Sequence, residues 1–387
     1  MGGWYAKCGS EQQPWWTPHD GSGIVEQRTD ERAMPAQIYL CPTCRRILPP
    51  SPRCTRCGGA LDVGPPAGFV GQSMGGYRLE AILGAGAMGA VYVARRAGDT
   101  QPVALKMMVP DDDDEATVKR FLQEAQLSLE LRHPNVVEVS GCAPSEWGTP
   151  FYTMELLRGR SLREELRERP QGFPPDQVLR HVRQIAAGLL FAHQHGVIHR
   201  DLKPENVFLV EGPDGPQDKI LDFGLAKTVI RPRQTRLTRS GILIGTPTYV
   251  APEQVVNKDL GPHTDQYALA LITAELYTGK KVRQGHTVAQ IVVHDIQRPI
   301  PDDVFLGTDV PPPARDALVR ATQPLPAERF PDVGAFARAL EATAAGTAAV
   351  LPSDVAGTPR SAARRRWIAL LIALGVAGAI AAFLLLR

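Results

Sequence analysis

The sequence predicts an α+β chain, with strands gathered before about residue 155 and helices after it. Three observations carry that expectation. Apolar residues alternate on both sides of a glycine-rich turn, at Tyr77, Leu79 and Ala81 before it and at Val91 and Val93 after it, which is the period of a β-hairpin. Val178, Val182, Ile185, Leu189 and Ala192 fall at three- and four-residue steps, so a core helix is expected from about Pro175 to Gln194. Tyr267, Ala268, Leu269, Ala270, Leu271, Ile272, Ala274 and Leu276 leave almost no polar face between Asp265 and Tyr277, the mark of a helix buried on every side.

The 387 residues allow one large or two medium domains with appendages. At 43% hydrophobic and 22% charged the composition is that of a globular protein. A formal net charge of +2 gives no basic footprint, so no nucleic-acid partner is expected. Residues 1–33 are polar, without the apolar run of a secretory signal. With Met34 just ahead of the first organised segment, they read as a disordered tail, extended here to residue 40, or as an artefact of the assigned start.

Four of the six cysteines sit in two Cys-x-x-Cys pairs, Cys41/Cys44 and Cys54/Cys57, nine residues apart. Each pair can turn two thiolates inward, and four thiolates suit tetrahedral Zn²⁺. So short a segment cannot bury a core of its own, and the metal would supply its folding free energy. Residues 41–60 resemble a short zinc ribbon. Two disulfides or a redox pair are the alternatives. Cys8 and Cys142 read as bystanders, and residues 61–76, rich in Gly and Pro, read as a linker.

From Tyr77 the elements follow in order. Leu83-Gly84-Ala85-Gly86-Ala87-Met88-Gly89-Ala90-Val91 lets backbone N–H groups approach a phosphate without a Cβ in the way. A strand follows this turn where a dinucleotide-binding fold would need a helix, which excludes that reading. Val103-Ala104-Leu105-Lys106 is a short apolar strand ending in a cation that needs a counter-charge. Asp111 to Asp114 read as a solvated loop, whereas Glu124, on a helix from about Thr117 to Leu131 with Phe121, Leu122, Ala125, Leu127 and Leu129 as its apolar side, offers the charge. Ser161 and Glu164 form a capping box for a further helix. His193 and His195 read as structural or surface residues. Val207 to Val210 and Lys219 to Phe223 flank Gly-Pro-Asp-Gly as a hairpin. Residues 259–263 and 299–313 read as loops.

His199-Arg200-Asp201-Leu202-Lys203-Pro204-Glu205-Asn206 supplies an Asp that can orient a hydroxyl and take its proton, a Lys that can neutralise phosphoryl charge, and an Asn whose oxygen is a hard ligand for Mg²⁺. With the glycine-rich loop, Lys106, Glu124, Asp222-Phe223-Gly224, Ala251-Pro252-Glu253 and Arg329 in the same order, residues 77–342 resemble the eukaryotic-like Ser/Thr protein kinases, in a form that looks bacterial. The resemblance implies a bilobal fold, with a small β-rich lobe carrying one helix and a larger helical lobe. ATP with Mg²⁺ or Mn²⁺ would sit between them. It implies that Leu83 to Val91, Ala104, Met154 as gatekeeper, the backbone of Glu155 to Leu157 and the floor residue Phe208 surround the nucleotide. Lys106, paired with Glu124, would hold the α/β-phosphates, Asn206 and Asp222 the metal, and Asp201 the substrate hydroxyl with Lys203 beside it. His199 would be a packing residue, Thr246 would bond Asp201 and Lys203, Asp265 would bond the catalytic-loop backbone, and Arg329 would partner Glu253. No catalytic position departs from the pattern, which argues against an inactive relative.

Arg200 and the cations Lys227, Arg231, Arg233, Arg236 and Arg239 are expected to respond to a phosphate on Thr238 or Ser240, the region where family members carry autophosphorylation sites. Residues 343–366 read as a flexible tether. Trp367 to Leu386 is an uncharged run that, at 1.5 Å per residue, spans about 30 Å, the hydrocarbon thickness of a bilayer. Arg364-Arg365-Arg366 before it puts its N-terminal side in the cytoplasm. The expectation is a single pass through the inner membrane with the C-terminus at the outer side; a buried terminal helix is the alternative. The expected partners are proteins bearing Ser or Thr hydroxyls, a second copy acting in trans, the membrane, and an unnamed partner of the ribbon. A membrane-tethered zinc-ribbon scaffold with incidental kinase activity is the rival reading, and a redox sensor a second.

Overall fold

The structure, a computed structural model, describes residues 69–86, 89–108, 122, 125–145, 149–212, 215–223, 248–255, 260–283 and 297–344, with the backbone alone of 38–40, 47–48, 62–64, 86, 343 and 344. Near the start, β1 (Ile38–Leu40), β2 (Ile47–Leu48) and β3 (Asp62–Gly64) form a small sheet with β1 central and antiparallel to both neighbours. Cys41, Cys44, Cys54 and Cys57 lie outside the described residues, but the sheet already begins within the expected tail.

Next come β4 (Ser73–Met74), β5 (Tyr77–Gly86), β6 (Gly89–Arg96), β7 (Val103–Met108), β8 (Val139–Pro144) and β9 (Pro150–Glu155). They make one antiparallel sheet in the order β4-β5-β6-β7-β9-β8. The expected linker over 61–76 is therefore corrected: it contains β3 and β4, and Phe69 and Met74 enter the core of this sheet. Glycine is required at Gly89, where φ is 133° and an added Cβ would lie 1.9 Å from the Met107 carbonyl oxygen.

Period-2 alternation divides β7 and β9 between two clusters. Leu105, Met107 and Phe151 pack with Phe69, Met74, Leu79 and Tyr92 on one face. Ala104, Met108, Tyr152 and Met154 pack on the other, with Val137, Phe208 and Leu221. Lys106 is in phase with Ala104 and Met108, so it leaves the strand toward this second face.

The helical part begins after β10 (Gly159–Ser161) with α1 (Leu162–Glu168), whose Ser161–Glu164 capping box is present. α2 runs Pro175–Gln194 with Pro175 in its first turn, where the missing N–H has no helical partner to lose. β11 (Val207–Gly212) and β12 (Gly215–Ile220) form the hairpin, and β10 pairs with β11. α3 (Pro252–Val255), α4 (Pro262–Thr278), α5 (Pro312–Ala321) and α6 (Val333–Ala344) complete the set among the described residues. α4 and α5 start inside stretches read as loops, and Phe305, in a short 3₁₀ turn, is buried. The core of this lobe joins α2, α4, α5 and α6 through residues such as Val182, Leu189, Leu269, Ile272, Leu318 and Phe336.

Leu122 and residues 125–128 are helical, but Leu127 is half exposed and does not belong to the apolar side expected of it. Among the described residues no helix is long and apolar enough to cross a membrane. The chain divides into units 1–345 and 346–387, and the second, with Trp367 to Leu386, lies outside the described residues.

Candidate active site

The segment His199 to Asn206 lies between α2 and β11, and its shape is fixed by Asp265 at the start of α4. The Asp265 carboxylate accepts the backbone N–H of His199 and of Arg200, each at 2.8 Å, and His193 Nε2 at 2.8 Å. It is 1% exposed. Burial disfavours its charge, but these donors outweigh that cost and hold the carboxyl below its ordinary value. They also hold Arg200 at φ 63°, a region a non-glycine residue enters only at a cost of about 1–2 kcal/mol.

His199 is fully buried. Its Nε2 is 2.8 Å from the Leu221 carbonyl and its Nδ1 accepts from the Asp201 N–H at 3.2 Å. One nitrogen donates and the other accepts, which is the neutral imidazole, and burial pushes its pKa down. It braces the loop and has no proton to trade.

Asp201 and Lys203 meet at 3.0 Å. Burial works against the Lys203 charge, but Asp201 beside it more than compensates and raises its pKa. Asn206 donates its side-chain N–H to the Asp201 carbonyl at 2.9 Å, which leaves its Oδ1 as the hard donor for a cation. Across the cleft, Lys106 Nζ is 2.5 Å from Asp222 Oδ2, and Tyr152 donates to Asp222 Oδ1 at 2.5 Å. Burial raises the Asp222 pKa, but Lys106 first and then Tyr152 outweigh it, and the carboxyl lies below its usual range. Asp222 too has a positive φ, 57°.

The structure thus brings Lys106, Asp201, Lys203, Asn206 and Asp222 near one another: the Leu221 N–H donates to the Asn206 carbonyl at 2.8 Å, and the Asp222 charge acts on Lys203. Leu83, Val91, Ala104, Met154, Leu157 and Phe208 pack in the cluster on the Lys106 face of the sheet, and Gly84, Ala85, Gly86, Gly89 and Ala90 lie in the β5–β6 hairpin beside it. Glu155 does more than lend its backbone: its carboxylate accepts Lys219 at 2.7 Å and the Glu138 N–H at 2.9 Å. Ala87, Met88, Glu124, Gly224, Thr238, Ser240 and Thr246 lie outside the described residues. Among the described residues Lys106 pairs with Asp222; its expected pairing with Glu124 lies outside them.

Sequence reasoning missed three groups here. Arg163, at the start of α1, donates to Glu205 at 2.9 Å, to Glu275 at 2.6 Å and to the Tyr249 hydroxyl. Tyr249 in turn donates to Glu275. His181 and Asp218, both 1% exposed, pair at 2.8 Å behind the β11–β12 hairpin. Tyr152 holds Asp222. The available signal was a polar residue inside a largely apolar run, Glu275 in α4; Tyr152, within Phe151-Tyr152-Thr153-Met154, gave none.

Glu253, in α3, is held by Arg329 through two bonds of 2.9 Å. Gln254 donates to the Arg200 carbonyl at 2.7 Å, tying α3 to the 199–206 loop.

A protein kinase domain model matches residues 77–329. The serine/threonine-protein kinase PknL of Mycobacterium bovis is 33% identical over 295 residues, covering 76% of this chain and 71% of that protein. The chain belongs to the serine/threonine protein kinases. Pkn3 of Myxococcus xanthus, also titled a serine/threonine-protein kinase, is 35% identical over 71% of this chain, and the match spans 51% of that longer relative. The crystal structure of the Mycobacterium tuberculosis PknI kinase domain superposes with a TM-score of 0.58 at 28% identity, covering 71% of this kinase and 98% of that chain. The small sheet lobe and the helical lobe of this kinase are therefore those of the bilobal family fold.

The loop geometry yields a prediction. Asp265→Asn removes one acceptor from the two loop N–H groups and leaves the catalytic residues in place chemically. We expect kcat to fall about 100-fold, the scale of a misplacement of about 1 Å, with KM for ATP little changed. Steady-state kinetics at saturating Mg²⁺ check it; an unchanged kcat would show that the loop keeps its shape without Asp265.

Proposed function

We propose that this kinase transfers the γ-phosphoryl group of ATP to Ser or Thr hydroxyls of proteins, with Asp201, Lys203, Asn206, Asp222 and Lys106 as the working residues. The observation that carries the reading is the opposed pair across one cleft, Lys106 with Asp222 and Lys203 with Asp201. The donor set fits the nucleotide and its cation: Asp222 and Asn206 offer hard oxygens, and Lys106 and Lys203 offer cations for phosphate. When bound, ATP supplies the phosphoryl group and Mg²⁺ neutralises its charge.

The chain's own residues do the rest. Asp222 and Asn206 would hold the cation, and Lys106 would leave Asp222 to hold phosphates of the nucleotide. Asp201 would accept the hydrogen bond of the substrate hydroxyl, aim its oxygen and take its proton as that oxygen bonds the γ-phosphorus and ADP leaves with the oxygen of the broken bond. Lys203 steadies charge on the transferred group. We expect Asp201→Asn to reduce phosphate incorporation into a generic Ser/Thr substrate by about 10³-fold or more with the melting temperature little changed. Wild-type incorporation by that variant would remove Asp201 from the mechanism.

For the N-terminal cysteines we propose one structural Zn²⁺ per chain. Leu40, which Cys41 follows, is the register partner of Asp62, five residues after Cys57 in sequence. Metal analysis of the purified full chain should find about one Zn²⁺, lost in Cys54→Ser; zinc-free folded protein would contradict this. For Trp367 to Leu386 we propose a membrane anchor. Removing residues 343–387 should move the kinase from the membrane to the soluble fraction, and a chain that is soluble with them intact would overturn the proposal.

A further inference from the structure

Lys106 and Tyr152 are direct partners across the β7–β9 ladder. Side chains directly opposite one another in an antiparallel pair leave the same face of the sheet, here the face toward Asp222. Each takes a different oxygen of that carboxylate: Lys106 Nζ lies 2.5 Å from Oδ2, and the Tyr152 hydroxyl 2.5 Å from Oδ1. A carboxylate held at both oxygens cannot turn about its last bond. One of the two holds is temporary, because on the function proposed above Lys106 leaves for the phosphates when nucleotide binds.

We propose that Tyr152 is a positioning residue for the metal-binding Asp222: its hydroxyl keeps hold of Oδ1 after Lys106 departs, so that the remaining lone pairs stay aimed at the cation. The ring suits that task. It is 1% exposed and packs with Val137, Val139, Met154 and Leu221, so it has little freedom to swing away. Behind it, between Val136, Val139, Asp222 and Phe223, lies a cavity of only about 10 Å³, space for one water at most. The Asp222 backbone at φ 57° is itself in a region that persists only where its surroundings hold it. A phenol is protonated at neutral pH, so the hydroxyl remains a donor. Tyr152 touches neither nucleotide nor metal in this account and acts through Asp222 alone.

The inference rests on the reading of Asp222 as a metal ligand, and the test separates the two. ADP binding to the full chain is measured by calorimetry with Mg²⁺ and with chelator, for wild type, Asp222→Asn and Tyr152→Phe. We expect Mg²⁺ to tighten ADP binding in wild type and to do so hardly at all in Asp222→Asn. Tyr152→Phe should lose about tenfold of that gain, the scale of one hydrogen bond to a charged group, and need correspondingly more Mg²⁺ for half-maximal activity. Binding in chelator reports whether the variant is folded. Tyr152→Met, which fills much of the space without a donor, must lose the same gain and stands in if the Phe variant does not fold. If Asp222→Asn loses the gain and the Tyr152 variants keep it, Tyr152 has no positioning role. If wild type shows no gain, or Asp222→Asn retains it, the metal reading of Asp222 fails and the inference goes with it.

Discussion

Asp265 is a carboxylate at the start of a helix that is buried from Thr264 to Thr278, and it is 1% exposed. Leaving such a group unpaired would cost several kcal/mol, so the chain must bring donors to it. The donors are the N–H groups of His199 and Arg200 and the ring of His193. Those two N–H groups immediately precede Asp201. The free energy that demands a partner for Asp265 therefore fixes the backbone that aims the proposed base. It also offsets the unfavourable φ of Arg200, which no local preference would select.

The same logic extends along α4. Gln266 bonds both the carbonyl and the N–H of Phe330. Tyr267 accepts from Arg283, which also grips the Thr248 and Val250 carbonyls at 3.2 Å. Glu275 takes Arg163 and Tyr249. Four of the few polar residues on this helix each hold a different segment, and the apolar remainder anchors the helix in the core. α4 works as a pillar to which the 199–206 loop, the 248–250 segment and the start of α1 are pinned. Buried ion pairs of this sort contribute little net stability, since desolvation consumes most of their attraction. What they supply is geometry, and transfer of a phosphoryl group depends mainly on geometry and fixed charge.

Local chemistry was legible in the sequence. The Pro175–Gln194 helix, the Ser161–Glu164 box and the 207–220 hairpin follow from periodicity, capping and turn residues, all of which act within a few positions. Family motifs supplied Lys106, Asp222, Asp201 and Asn206. Of the partners set by tertiary register, the resemblance supplied Asp265 with the loop backbone and Arg329 with Glu253, and others were not legible. His193 read as a structural or surface residue, but its partner, Asp265, lies 72 residues away and could not be named. Tyr152 reads as ordinary strand apolarity until the β7–β9 register sets it opposite Lys106. β4 was missed because two residues at a sheet edge leave no period to read. Leu127 shows the opposite error, an apolar residue at a helical step that the fold leaves half exposed.

The claim that Asp265 fixes the catalytic loop is tested most directly by amide hydrogen exchange at His199 and Arg200. In the wild-type kinase both amides should exchange only through global unfolding, as slowly as the most protected amides of α2. In Asp265→Ala they should exchange orders of magnitude faster while the α2 amides remain protected. Equal protection of His199 and Arg200 in the two proteins would mean that something other than Asp265 holds the loop.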